Sequence, residues 1–390
     1  MVVEPSTRLE TPTEQRARRP AAGRTLAALW LASGLFVSGV GVGAGWDRRW
    51  HATHPFEDFW SPPHLFIYTC LLLTVGVVAV IAFSPALRAR LGDDVRLPGV
   101  SLGVPAPLLL LGCGLASLGL AGALDAVWHT AFGLDETGWS LPHALLGHGV
   151  LLTCWGFVAC RLALRPHRPL SPPGQLLLGW ALLATAQDVL GGPLTRNMSP
   201  RSVRAIASLP ALAADPRAQH TFRIYLAWHL DRTNPLFLPV AAFTTGFGLA
   251  LVRRLNMRRG AWMLASAAIV AFVPLVSNPQ LGPARLWEPL PFLAAAGAFL
   301  LARRAGISTG WASAIAGWAT CCWLLVFVPR PALALLAGPL AMAGAWAGTI
   351  VAEVIERPAP RRVFTLTSII AGAIPTIMGA LDLYLRAHTP

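Results

Sequence analysis

The chain contains no lysine: all 31 of its basic residues are arginine, set against 18 acids. Without lysine there is no Walker A loop, whose lysine holds the nucleotide phosphates, and no HExxH zinc-protease helix occurs either. Charge of either sign is scarce, at 13% of 390 residues, while 55% are hydrophobic. That balance excludes a disordered, solvated chain. The arginines fall in separate clusters between apolar runs, so no basic stripe favours nucleic acid. Six cysteines (Cys70, Cys113, Cys154, Cys160, Cys321 and Cys322) lie in or at the ends of apolar runs and form no CxxC pair. Nothing in this pattern points to a zinc ribbon or a disulfide scaffold.

What the sequence has in abundance is long apolar runs of about 20 residues, the length a helix needs to cross a bilayer. They predict an all-α, polytopic transmembrane helical bundle with about eleven spans, near 25–45, 63–84, 105–128, 141–164, 173–190, 234–252, 261–277, 286–302, 308–328, 331–352 and 364–385. Arginines crowd alternate connections: the arm before Arg24, then Arg88/Arg90/Arg96, Arg161/Arg165/Arg168, Arg253/Arg254/Arg258/Arg259, Arg303/Arg304 and Arg357/Arg361/Arg362. The positive-inside rule assigns these to the cytoplasm, with the N-terminus, and puts the remaining connections outside in a multi-pass plasma-membrane protein. The expected organisation is a cytoplasmic arm over 1–24, a membrane region over 25–170, and a second multi-span region over 171–390. The first helix reads as retained rather than as a cleaved signal peptide. A long outer segment, 191–233, carries six arginines against the rule, and its pattern suits helices lying at the membrane surface.

The first outer connection reads GWDRRWHATHPFEDFWSPPHLF (45–66), and it has a second copy in LDAVWHTAFGLDETGWSLPHALL (124–146). Alignment pairs Asp47 with Asp125, His51 with His129, Glu57 with Asp135, Ser61 with Ser140 and His64 with His143. Both copies read D-x3-H, an acid six residues on, then S-x-P-H, with 12 residues between the histidines in one and 13 in the other. This is a tandem repeat of helix-hairpin motifs on the outer side. Weaker echoes occur at Trp228-His229, at Asp188, and at Asp382, where GALD (122–125) recurs as 379–382 without a histidine four residues later.

A separation of four residues puts Asp47 and His51 on one face at the end of the first span. Ser61, followed by Pro62 and Pro63, reads as the N-cap of the second span and fixes His64 beside the preceding helix end. One carboxylate and two imidazoles from two packed helices form a three-ligand metal set with open positions, chemically suited to copper, iron or zinc. Asp125, His129 and His143 form the second such set. Glu57, Asp58, Asp135 and Glu136 are placed to orient imidazole N–H groups from behind the ligands, or else belong to solvated loops. His54 and His148 are spare candidates. A plainer reading stands beside this one, since tryptophan, histidine and acids are ordinary anchors at a membrane boundary, and an Asp–His hydrogen-bond clamp would also suit the offset.

At these residues the sequence resembles the copper-ligating transmembrane subunit of the copper-dependent membrane monooxygenases, the particulate methane and ammonia monooxygenase family. Its D-x3-H-x12-H copper motif between two transmembrane helices is matched in type and spacing by WDRRWH and WSPPH, that is by Asp47, His51 and His64. A second family set of the form N-x3-H-x13-H resembles Asp125, His129 and His143, with aspartate here in place of asparagine. The resemblance covers about residues 40 to 165. It implies copper as cofactor, an oxygen-activating role within a monooxygenase, a small apolar or ammonia-like substrate, a quinol-type electron donor and further membrane subunits. Two other functions remain open on the residues alone: a metal transporter or metal-handling protein, and a structural membrane subunit. A transporter needs ionisable or thiol groups through the midplane, and the six scattered cysteines suit simple packing.

Overall fold

The computed structural model describes residues 12–51, 59–96, 103–132, 140–164, 237–256, 290–324, 331–356 and 359–388, with a few single positions between 174 and 220. Nearly all of this is helix. Helix α1 (Pro12–Val37) passes through a π-helical segment, Ser38–Gly43, into α2 (Ala44–His51). This composite rod packs on α3 (Pro62–Phe83). Small residues permit the approach: a Cβ on Gly39 would come within 2.7 Å of Cys70 Cβ. Deeper in the pair, the Thr74 hydroxyl donates to the Cys70 carbonyl of its own helix at 2.7 Å, with the Ala32 carbonyl of α1 at 3.4 Å.

Past α3 lie a single turn, α4 (Pro85–Arg88), and a small antiparallel pair, β1 (Asp94–Arg96) and β2 (Gly103–Pro105), with Val95 opposite Val104. Three-residue strands carry no alternation long enough to announce themselves, and nothing in the apolar pattern foretells this pair. Arg88 joins the two features: its guanidinium donates to the Ala82 carbonyl at 2.9 Å, covering an open end of α3, and pairs with Asp94 at 3.1 Å.

The second hairpin is α5 (Ala106–Phe132) and α6 (Leu141–Leu164), the closest-packed pair in this half. A Cβ on Gly114 would meet the Thr153 backbone N at 2.5 Å, and one on Gly156 would meet Leu111 Cα at 2.5 Å. The contacts Leu111–Gly156, Gly114–Thr153 and Leu118–Gly149 advance in step along the two antiparallel helices. That register brings Asp125 level with the start of α6. Helix α6 also touches α1, and the Phe36 and Phe157 rings stand 5.9 Å apart. Lower down, the buried Arg161 guanidinium sits over Trp30, 5.0 Å from the ring centre, with its long stem among apolar neighbours.

The C-terminal half contributes α7 (Phe237–Asn256), α8 (Leu290–Arg304), α9 (Thr309–Leu324) and α10 (Pro331–Glu356). α7 and α10 meet backbone to backbone: Gly246 lies on Ala341, and Gly344 and Gly348 lie on Phe243 and Phe247. Small residues four apart are the usual means by which membrane helices come this close. The chain ends in α11 (Pro360–Thr367), a second π-helical segment (Ser368–Ala373) and α12 (Ile374–His388), which return to lie along α5 and α6.

Five helices among the described residues are long and apolar enough to cross a membrane: Gly23–Asp47, Pro62–Phe83, Ala106–Trp128, Leu141–Leu164 and Leu335–Glu356. They coincide with five of the expected spans. Within the segments expected at 286–302 and 308–328, the described residues Leu290–Arg304 and Thr309–Leu324 are helical. The expected spans at 173–190 and 261–277, and the surface helices of 191–233, lie outside the described residues. On α3 the outward side chains Leu72, Val80 and Phe83 are 61–71% exposed. A contiguous apolar surface of this kind suits lipid rather than water.

Candidate metal centre

Both hairpins carry their carboxylate and their second histidine to the same place, the junction between one helix end and the next helix start. Asp47 lies on α2, just past the π-helical segment, and His64 occupies the first turn of α3. Asp47 Oδ1 stands 3.1 Å from His64 Nε2. In the second hairpin Asp125 Oδ1, near the end of α5, stands 3.8 Å from His143 Nδ1 in the first turn of α6. All four side chains are between 16% and 33% exposed, so each pair is half-buried. His51 is the last described residue of α2 and His129 lies on α5, each four residues after its aspartate in the sequence.

The two helix starts are built alike in sequence and differently in detail. In each, the serine carbonyl accepts the first helical bond, from Leu65 N at 2.9 Å and from Ala144 N at 2.9 Å. Ser140 Oγ also accepts from the His143 backbone N–H at 3.3 Å, a true N-cap, and meets His143 Nδ1 at 3.1 Å. Ser61 stands in the capping position but makes no side-chain cap, and its buried hydroxyl has no hydrogen-bond partner among the described residues. The expected cap is therefore present in the second copy and absent from the first.

Aromatic rings surround the first pair. Tyr68, one turn below His64, lies nearly parallel to it with ring centres 5.7 Å apart, and Phe59 stands 5.0 Å from Tyr68. Trp46 and Phe66 meet across the two helices at 6.2 Å. The i, i+4 spacing of His64 and Tyr68 announces this stack, although the tyrosine belongs to no expected ligand set.

His148, a spare ligand candidate in the sequence, is buried within α6, and its Nδ1 sits 2.6 Å from the Ala144 carbonyl. That nitrogen is committed to its own helix, so His148 is a satisfied interior histidine rather than a ligand through Nδ1. His54, Glu57, Asp58, Asp135, Glu136, Asp188 and the Trp228-His229 echo lie outside the described residues. Asp382 lies on α12.

A carboxylate and an imidazole are donors that first-row metal ions accept. Ligand atoms about 2.0–2.1 Å from a shared ion stand about 2.8–3.4 Å from one another, between right-angled and tetrahedral geometry. The Asp47–His64 separation of 3.1 Å lies inside that range and the Asp125–His143 separation of 3.8 Å lies outside it. Among the described residues no group of three His, Cys, Asp or Glu side chains is assembled, so the described part of each set is one carboxylate and one imidazole. No family model, no curated protein and no solved structure matches the chain.

Proposed function

We propose that this is a membrane-embedded metal-binding protein related to the copper-ligating transmembrane subunit of the copper membrane monooxygenases, with copper held by Asp47, His51 and His64 and a second ion by Asp125, His129 and His143. The observation that carries the reading is the approach of Asp47 to His64 at 3.1 Å and of Asp125 to His143 at 3.8 Å, on two hairpins whose ligand residues recur in the same order. In this reading the hairpins form a tandem repeat, the N-terminus is cytoplasmic, about eleven spans cross the plasma membrane, and both sets face outward.

Each residue then has a role. Asp47 contributes the anionic oxygen and lowers the cost of placing a cation at a half-buried helix end. His51, on the turn after Asp47, and His64, at the head of α3, contribute nitrogens. The helix packing that brings Gly39 onto Cys70 fixes the distance between them. Phe59, Trp46 and Tyr68 shield that end from water and leave apolar surface beside it. Copper bound in such a set supplies dioxygen activation, with a small apolar or ammonia-like substrate, a quinol-type donor and partner membrane subunits completing the reaction.

Metal analysis of the purified chain tests this directly. The His51→Ala/His64→Ala double variant is expected to lose the copper of the first set, about half of the total, and unchanged copper content ends the reading for that set. One observation favours a second function, that of a structural membrane protein: a direct Asp47–His64 contact at 3.1 Å is also what a helix clamp makes. A clamp predicts that Asp47→Asn lowers the melting temperature equally with and without a chelator. The metal reading predicts that chelation removes most of the difference between the two proteins. Metal uptake into vesicles carrying the purified protein would instead identify a transporter.

A further inference from the structure

Helix ends of the C-terminal half bring a group of arginines together at one boundary. α7 carries Arg253 and Arg254 in its last turn and α8 carries Arg303 and Arg304 in its last turn, while α9 begins at Thr309 and α10 ends at Glu356. Side chains tie these ends to one another: the Arg253 guanidinium donates to the Thr309 hydroxyl, and Arg254 Nε donates to Glu356 Oε2 at 3.0 Å. The connection from α8 to α9 is a tight turn in which Gly306 has φ +81° and the Ile307 N–H reaches back to the Ala302 carbonyl at 3.0 Å. Arg303 donates to the Ile307 carbonyl inside that turn, which holds its guanidinium beside the start of α9, where Arg253 also arrives. Loss of surrounding water, and after it the positive charge of Arg303, push the Arg253 guanidinium down from its ordinary value. The acids do not offset this crowding: Glu356 is engaged by Arg254, Glu353 is exposed one turn earlier on α10, and among the described residues no carboxylate pairs with Arg253, Arg303 or Arg304. Exposed apolar side chains begin within one turn of the cluster, at Leu301 before Arg304 and at Trp311 after Ser308.

We propose that Arg253 and Arg303, with Arg304 at the rim, bind the phosphate of an anionic phospholipid at the membrane boundary. A phosphodiester anion between the two guanidiniums offsets their repulsion, and each guanidinium carries more N–H donors than its single bond to Thr309 or Ile307 uses. The position favours lipid over soluble phosphate. Leu301 and Trp311 offer apolar surface to acyl chains beside the arginines, and tryptophan is at home at the level of the headgroups. The arginine pattern assigns this boundary to the cytoplasm, the side on which anionic lipids attract basic clusters. The inference is independent of the two metal sets, and its failure leaves the metal reading untouched.

The test titrates the full chain, in an uncharged detergent, with phosphatidylglycerol in mixed micelles, and reads apparent affinity from the rise in melting temperature with lipid fraction. Arg253→Gln/Arg303→Gln is expected to weaken that affinity about 30-fold, the combined attraction of a pair of arginines for an anionic surface. An unchanged titration overturns the inference. Arg361→Gln/Arg362→Gln removes the same charge from exposed positions at the start of α11 and is expected to change the affinity less than about threefold. Equal losses in the two double variants would reduce the effect to net charge and overturn the site. Sodium phosphate is expected to leave the melting temperature of the parent chain unchanged. Stabilisation by sodium phosphate equal to that by phosphatidylglycerol would assign the arginines to a soluble anion and overturn the lipid assignment. If Arg253→Gln/Arg303→Gln does not yield folded protein, Arg304→Gln decides: a loss of about fivefold upholds the site, and a parent-like titration refutes it.

Discussion

Ser61 and Ser140 occupy corresponding places in two nearly identical pentapeptides, WSPPH and WSLPH, yet only Ser140 uses its hydroxyl. A side-chain cap is worth about 1 kcal/mol, within a range of about 0.5–2 kcal/mol. Ser140→Ala is therefore expected to lower stability by about that amount, and Ser61→Ala to leave it unchanged within about 0.5 kcal/mol, as read from paired thermal melts in one detergent. Ser140 holds the His143 ring as well as the helix start, so its loss also frees that ring. The aspartate–histidine pairing at both junctions was legible in the sequence, because D-x3-H followed by a proline-started helix leaves the side chains few places to go. The difference between the two serines was not legible, because both stand at the same place before a helix start and the motif carries no record of which hydroxyl turns to the backbone. His148 shows the same limit: an isolated histidine in an apolar run reads as a ligand candidate until its carbonyl partner one turn back is seen.

At the scale of elements, the pairs of helices are set by where small residues stand. Gly246 lies directly on the Ala341 backbone, whereas Gly248 on the same helix has open space where a Cβ would go. Gly246→Val is expected to separate α7 from α10, costing about 1–3 kcal/mol or preventing folded protein altogether, as overpacking does. Gly248→Ala should be neutral or slightly stabilising, by up to about 1 kcal/mol, through helix propensity. Differential scanning fluorimetry of the two variants checks the contrast. The long helices themselves were readable, since an apolar run of bilayer length admits few other structures. The π-helical segments at Ser38–Gly43 and Ser368–Ala373 were not: they slip the hydrogen bonds by one residue, and composition carries no record of that. The docking of α12 on α6 is a contact between distant parts of the chain, and periodicity within either helix is silent about its partner.

Among the described helices long and apolar enough to cross a membrane, α6 is the most buried. Of its apolar window 78% is buried, against 22% for α3, and it meets α5, α1, α10 and α12 while α3 leans mainly on α1 and its π-helical segment. Phe157 on α6 is 1% exposed and Leu72 on α3 is 70% exposed. Phe157→Ala is expected to cost about 3–5 kcal/mol, the usual loss for a buried ring. Leu72→Ala changes an exposed side chain and should cost less than about 0.5 kcal/mol, as surface substitutions generally do. Thermal denaturation of both variants in lipid nanodiscs separates the two. From the sequence, the first four spans were equivalent hydrophobic rods, because lipid-facing and protein-facing surfaces in a membrane are made from the same side chains.

The central seat of α6 and the peripheral seat of α3 give the two hairpins unequal freedom to vary over evolutionary time. A substitution along α6 must be accepted by four neighbours at once. Along the outer side of α3 any residue that dissolves in hydrocarbon will serve.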